Sequence, residues 1–282
     1  DRIDYSNDTA TASVKGPLSL ARKQLGAVGN SFFGYFTGGE TPSVVSNVDR
    51  IDYSNDTATA VEKGPLSAPR RYGANAGNSD HGYWVGGLTP GTTLASLVDR
   101  IDYSNDTATT LERGPLSLAR AILSGTGNAD FGYFGGGNVP SPSATYSTVD
   151  RIDYANDTAT AVAKGPLSVG KYGSAATGNA SFGYFAGGYT PSDLSSVDRI
   201  DYSNDTATAS PKGPLSLARD QSGATGNASF GYFAAGATSS AVTTVDRIDY
   251  SNDTATASVK GPLSVGRWTL AGTSAAANAL PQ

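Results

Sequence analysis

The chain has 282 residues, with 20 Lys and Arg against 25 Asp and Glu, for a formal net charge of −5. A mildly acidic chain has no general electrostatic attraction for nucleic acid or anionic membranes, and no run of 18 apolar residues is present to span a bilayer. Cysteine is absent and His81 is the single histidine, which excludes disulfide frameworks, thiolate metal sites, cysteine nucleophiles and multi-histidine metal sites.

The segment Asp-Arg-Ile-Asp-Tyr-Ser-Asn-Asp-Thr-Ala-Thr begins at Asp1, Asp49, Asp99, Asp150, Asp198 and Asp246, and Ala155 is its one internal change. A repeat of this length marks a solenoid, a propeller or an array. Each unit opens on a strand such as Val48 to Tyr53, turns at Ser-Asn-Asp, and continues into a second strand such as Thr57 to Val61, so the pair predicts a β-hairpin. A Gly-Pro-Leu-Ser loop follows. A small Gly/Ala-rich strand comes next, as in Gly173 to Thr177, then a Gly-Asn turn and an aromatic strand, as in Phe182 to Phe185. A pair of small residues, such as Gly187-Gly188, ends that strand before a loop of variable length. Helical periodicity is missing throughout.

Four antiparallel strands per unit describe one propeller blade. The chain is therefore expected to be all-β: one six-bladed propeller domain over residues 1–282, with four antiparallel strands per blade. The hairpin and the Gly/Ala strand each occur six times, the last Gly/Ala strand at Leu270 to Ser274. The aromatic strand occurs five times, at Phe32, His81, Phe131, Phe182 and Phe230. Closure then requires a composite blade from both termini, with the Asp1 to Ala12 hairpin pairing to the Leu270 to Ser274 strand. The missing strand would come from Ala275 to Leu280 or from residues upstream of Asp1. The absence of methionine and the start at Asp1 inside a repeat predict a fragment of a longer chain.

The series Arg120, Ser124 to Thr126, Phe131 to Phe134, Gly136-Gly137 and Val149 to Tyr154 resembles a kelch repeat, and the register covers the whole chain. It departs from the kelch pattern in carrying Thr-Ala-Thr where those repeats usually place a Trp. The repeated wording is similar to kelch-like proteins of marine bacteriophages and cyanophages. That resemblance implies a virion or extracellular location and a structural or receptor-binding role. The implied partners are a host-surface glycan or protein, or neighbouring virion proteins, with no nucleic acid and no membrane insertion.

The repeated carboxylates Asp1, Asp4 and Asp8 invite a metal reading, but Asp1 and Asp4 lie on opposite strand faces, so no metal and no cofactor is expected. Arg2 and Asp4 share one face and are expected to form ion pairs within or between blades. The candidate ligand-binding residues follow the Pro-Leu-Ser loops. Arg22, Arg70, Arg120, Lys171, Arg219 and Arg267 would ring one channel mouth and hold an anionic group, or would pair with nearby carboxylates. Sequence variation gathers just after these residues and in the loops after the small-residue pair, which topology places on one face. Tyr72, Tyr172 and Trp268, with Tyr146 and Tyr189, could stack on sugars or anchor a protein there. His81 replaces a Phe and reads as a strand residue. No catalytic constellation emerges, so the chain is expected not to be an enzyme. The alternatives are a lectin-like bacterial propeller and, below it, a sugar-modifying enzyme such as a mutarotase.

Overall fold

The computed structural model describes residues 1–139 and 144–275. Five four-stranded antiparallel sheets form five blades. In the first, Gly26–Gly29, Phe33–Thr37, Val48–Asp52 and Val61–Lys63 run from the inside outward in sequence order. The inner strands of successive blades, Gly26–Gly29, Ala74–Gly77, Ser124–Gly127, Ala175–Gly178 and Gly223–Gly226, adjoin one another around the axis. Their small residues follow from that crowding: a Cβ on Gly125 would lie 2.4 Å from the Asn75 carbonyl oxygen. Each aromatic strand runs between the inner strand and the Asp-Arg-Ile-Asp strand, and pairs with both.

Among the described residues, helix is confined to three-residue 3-10 turns such as Tyr53–Asn55. Asp52 caps that turn by accepting the Ser54 N–H at 2.8 Å. The second hairpin strand differs from expectation, because pairing begins at Val61 rather than Thr57. The reason is a competing use of the backbone. Ala60 N–H donates to the Pro17 carbonyl of the preceding unit at 2.9 Å. The Ala58 carbonyl packs on Gly16 so closely that a Cβ there would sit 1.9 Å from the oxygen. Thr57–Ala60 belongs to the seam between blades, not to the ladder.

That seam recurs around the molecule. The N–H groups of Gly16, Gly64, Gly114, Gly165, Gly213 and Gly261 donate to the carbonyls of Asp56, Asp106, Asp157, Asp205, Asp253 and Asp8 at 2.8–2.9 Å. The last of these joins the C-terminal unit to the N-terminal one, so the ring closes on itself with six positions. At the sixth position the outer half is the N-terminal hairpin, tied by the Arg2–Ser13 bridge. The inner half is the segment around Leu270–Ser274, which forms no strand pairing among the described residues. The expected direct pairing of Asp1–Ala12 with Leu270–Ser274 is therefore corrected. In the complete blades these two strands are second neighbours with the aromatic strand between them, so they have no shared ladder to form. Of the suggested replacement Ala275 to Leu280, residues 276–280 lie outside the described residues.

Hydrophobic clusters fill the spaces between blades. Trp84 and Ile101 of the second blade pack on Val28, Tyr35 and Val48 of the first, and Phe134, Phe185 and Phe233 repeat the insertion further round. Each of these side chains is fully buried, which stabilises by about 1.5–3 kcal/mol for a large apolar group.

Candidate functional site

The three repeated aspartates have three separate uses. The first kind pairs inside its own blade with the basic residue after Pro-Leu-Ser. Arg22 bonds Asp49 at 2.6 Å, Arg120 bonds Asp150 and Arg219 bonds Asp246 at 2.7 Å, and Lys171 lies 3.1 Å from Asp198. Arg70 pairs with Asp99. The guanidinium also gathers carbonyls of the aromatic strand: Arg120 Nη2 donates to Phe134 and Nε to Gly136, both at 2.8 Å. These five cationic side chains are fully buried and neutralised. The anion-holding ring expected from Arg22, Arg70, Arg120, Lys171, Arg219 and Arg267 is thus replaced by its pairing alternative in five positions. Burial pushes the Lys171 ammonium below its ordinary pKa, against the opposing pull of Asp198. Arg267 alone remains 41% exposed, 3.3 Å from Asp1.

The second kind of aspartate accepts the N–H two residues on, at Asp4 in a plain turn and at its five copies as the cap of a 3-10 turn; the Ser54 hydroxyl and N–H hold Asp52 below the usual carboxylate range. The expected arginine–carboxylate pairs do form between blades, but their acceptor is the third kind of aspartate and not Asp4 or its copies. Arg2 bonds Asp56 of the next blade at 2.7 Å, and Arg50 likewise bonds Asp106. In the five complete blades the aromatic-strand tyrosine joins this aspartate. Tyr35 donates to Asp106 at 2.9 Å, Tyr133 to Asp205 at 3.0 Å and Tyr232 to Asp8 at 2.9 Å. Lys63, Lys164 and Lys260 complete the three clusters at 3.1–3.3 Å. Burial alone would raise Asp106, but the bonds from Lys63 and Tyr35 and the Arg50 charge hold it below the usual range. Burial and the Asp8 carboxylate push the Tyr232 phenol up to about 12. The same tyrosines stack on the hairpin tyrosine of the next blade, Tyr35 on Tyr103 at 4.8 Å and Tyr232 on Tyr5 at 4.7 Å between ring centroids.

The variable segments do meet on one face. The residue after the basic side chain bridges to the residue after the small pair in five blades: Lys23 to Glu40, Arg71 to Leu88, Ala121 to Asn138, Tyr172 to Tyr189 and Asp220 to Ala237. Tyr172 and Tyr189 place their rings 5.4 Å apart. Tyr72, Tyr146, Tyr172 and Tyr189 are half-buried, and Trp268 is 57% exposed. His81 lies in the strand His81–Val85, where burial and then Arg100 lower its pKa.

Sequence reasoning missed a second closed ring at this face. Tyr72 N–H donates to Gln24 O, Ile122 to Tyr72, Gly173 to Ile122, Gln221 to Gly173, Thr269 to Gln221 and Gln24 to Thr269, over 2.7–3.3 Å. All six residues have positive φ between 52° and 65°. The signal in the sequence was Gly173, which occupies a position held by five non-glycine residues. A cavity among the inner strands, lined by Ala27, Asn75, Gly125, Ala176 and Ala224, holds about 40 Å³, far below the few hundred Å³ of most small-molecule sites.

No protein-family model matches the chain, and no curated protein matches it by sequence. Among solved structures, the one described as the structure of YjhT superposes with a TM-score of 0.75 over 93% of this chain and 90% of that one, at 12% identity. At that identity the likeness concerns the fold alone, and with the blade geometry above it makes this chain an all-β propeller with a YjhT-like fold.

Proposed function

We propose that the chain is a non-enzymatic structural or receptor-binding propeller module of a phage particle, such as part of a tail fibre, in a virion or extracellular setting. It binds a host-surface glycan or protein through the face where its variable segments gather. The observation that carries this reading is the bridge series from Lys23–Glu40 to Asp220–Ala237, which joins the two diverse segments on each complete blade while the ion-paired scaffold behind them hardly varies. A rigid frame under diverse loops is a common way to present a recognition surface. The Tyr172–Tyr189 pair is its most aromatic element and suits a sugar face or an apolar side chain.

Adsorption of the purified chain to host cells, alongside a glycan array, tests the reading. The double variant Tyr172→Ala/Tyr189→Ala should lose most attachment while keeping its melting temperature within a few degrees. Asn7→Ala, in a constant turn, should attach normally. Attachment lost only from the constant face would assign binding to the wrong side. Strong glycan retention with no cell adsorption would favour a lectin over a virion module.

A further inference from the structure

On the variable face, one buried carboxylate stands without a counter-ion. Asp220 is 8% exposed. Among the described residues every other buried aspartate pairs with an arginine or a lysine, from Arg22 on Asp49 to Arg247 on Asp8. Asp220 receives the Gln221 side-chain amide at 3.0 Å and no cation. Burial, and after it the like charge of Asp193, raise its carboxyl above the ordinary range against that bond. The surroundings are aromatic. Tyr172 is the fourth blade's equivalent of Asp220, and it bridges to Tyr189, which faces Asp193 across a short ladder. The Tyr172 and Tyr189 rings are 5.4 Å apart and inclined at 43°. The Asp220 charge acts on the phenols of Tyr172 and Tyr72. Tyr72 stands three positions round the backbone ring, so the carboxylate faces across the ring's mouth. Small residues adjoin it: its bridge partner is Ala237, and a Cβ on Gly173 would lie 3.6 Å from the Asp220 Cβ.

The first two blades show how the same face satisfies a carboxylate internally. Glu40 lies 3.7 Å from Lys23 of its own blade and 2.5 Å from Arg71 of the next. At the junction of the fourth and fifth blades, Tyr172, Tyr189 and Asp220 occupy the places of Lys23, Glu40 and Arg71. Aromatic rings and a carboxylate therefore stand where the first junction has its cations. We propose that this junction binds an alkylammonium group, with its charge held between the Asp220 carboxylate and the rings of Tyr172 and Tyr189, and Asp193 as a second carboxylate beside them. The proposal rests on the reading that the variable face is the recognition surface, and it names the chemistry which that face takes at this point. A neutral sugar would give Asp220 hydroxyl donors but leave both carboxylates without opposite charge, and a buried charge is costly unless it is paired. An alkylammonium supplies the charge to the carboxylates and its alkyl groups to the ring faces. A protein lysine and a choline headgroup share this chemistry.

Calorimetric titration of the whole chain with two probes, choline and Nα-acetyl-lysine methylamide, tests the site. At least one should bind saturably, and its uncharged counterpart, 3,3-dimethylbutanol or the side-chain-acetylated lysine amide, should not. Tighter binding of choline supports the site and marks a headgroup as its source; tighter binding of the lysine amide supports it and marks a protein. Asp220→Ala should weaken binding at least tenfold, and Tyr172→Leu should weaken it about fivefold through the lost ring face. The third blade carries Ala121 at the position of Asp220, so the alanine fits the fold. Asp220→Ala should melt at or above the temperature of the unchanged chain, because it removes a buried charge that has no counter-ion. Absence of binding by both probes, equal binding of the uncharged counterparts, or undiminished binding by Asp220→Ala overturns the site. So does a melting temperature lowered by many degrees in Asp220→Ala, which would give the carboxylate a partner inside the protein. Host-cell adsorption separates the site from the reading beneath it. Adsorption that persists without cation binding overturns the site alone, and cation binding by a chain that adsorbs to no host cell overturns that reading alone.

Discussion

In each complete blade a tyrosine, an arginine and a second cation converge on one aspartate of the next blade, while Asp56 receives no tyrosine hydroxyl among the described residues and its side chain is 16% exposed instead of 8–10%. The same contrast separates Arg120, enclosed by an aspartate and two strand carbonyls, from Arg267, which is 41% exposed. Both differences fall at the position where, among the described residues, no aromatic strand is paired; in the complete blades the repeat's charged residues are enclosed by that strand.

Acidification should break the contrast most broadly. Asp8, Asp106, Asp205 and Asp253 are held below the ordinary carboxylate range, where bonds from tyrosine, lysine and arginine outweigh the effect of burial. A carboxylate with a depressed folded-state pKa adds stability above its unfolded pKa, and that stability is lost as pH falls through the folded value. The urea midpoint should therefore be flat from about pH 7 to 5 and fall steeply below about pH 4. A midpoint that does not change below pH 4 would deny these clusters a stabilising part.

Arg120→Met leaves Asp150 buried and unpaired and should cost about 3–5 kcal/mol in urea denaturation. Arg267→Met at the sixth position should cost about 1 kcal/mol, because the 41% exposed guanidinium is partly screened by water and the Asp1 carboxylate, only 5% exposed, keeps the bond from the Ser264 hydroxyl. Equal losses would mean that the sixth position is as enclosed as the others. Tyr133→Phe removes a bond to a charged acceptor and should cost about 2 kcal/mol by the same measurement. Asp205→Asn should then destabilise more than Asp56→Asn, since among the described residues Asp56 receives only Arg2 and Lys15 and no phenol. The smallest effect is a gain. Ile122 is β-branched at φ 57°, so Ile122→Gly should relieve strain and stabilise by about 1 kcal/mol, visible as a small rise in melting temperature.

The repeat and the all-β class were legible because each is written in spacing and residue type along the chain. Partners were not. Arg50 and Asp106 are 56 positions apart, and nothing local to Arg2-Ile3-Asp4 says that the arginine prefers the next blade's turn to its own strand neighbour. The strand start at Val61 was missed for a related reason, since the seam through Ala60 and Pro17 claims backbone that would otherwise extend the ladder. The basic residues after Pro-Leu-Ser were correctly placed beside the inner strand. Their burial was not legible, because it depends on Asp49 and its copies folding back from the third strand of the same blade. The clustering of the variable segments followed from strand alternation alone. The backbone ring through Gln24, Tyr72 and Ile122 left a single trace, the glycine at 173.

The central claim is that six positions close into a ring, five of them complete four-stranded blades among the described residues. Amide hydrogen exchange read residue by residue tests it most directly. The N–H groups of Gly16, Gly261, Gln24 and Thr269 carry the closing bonds at the sixth position, and Gly114, Gly165, Tyr72 and Ile122 carry their equivalents between complete blades. Closure predicts protection of the first group within about tenfold of the second. Exchange of Gly16, Gly261, Gln24 and Thr269 at the rate of an unstructured chain, with the second group protected, would show an open arc of five blades and contradict the account.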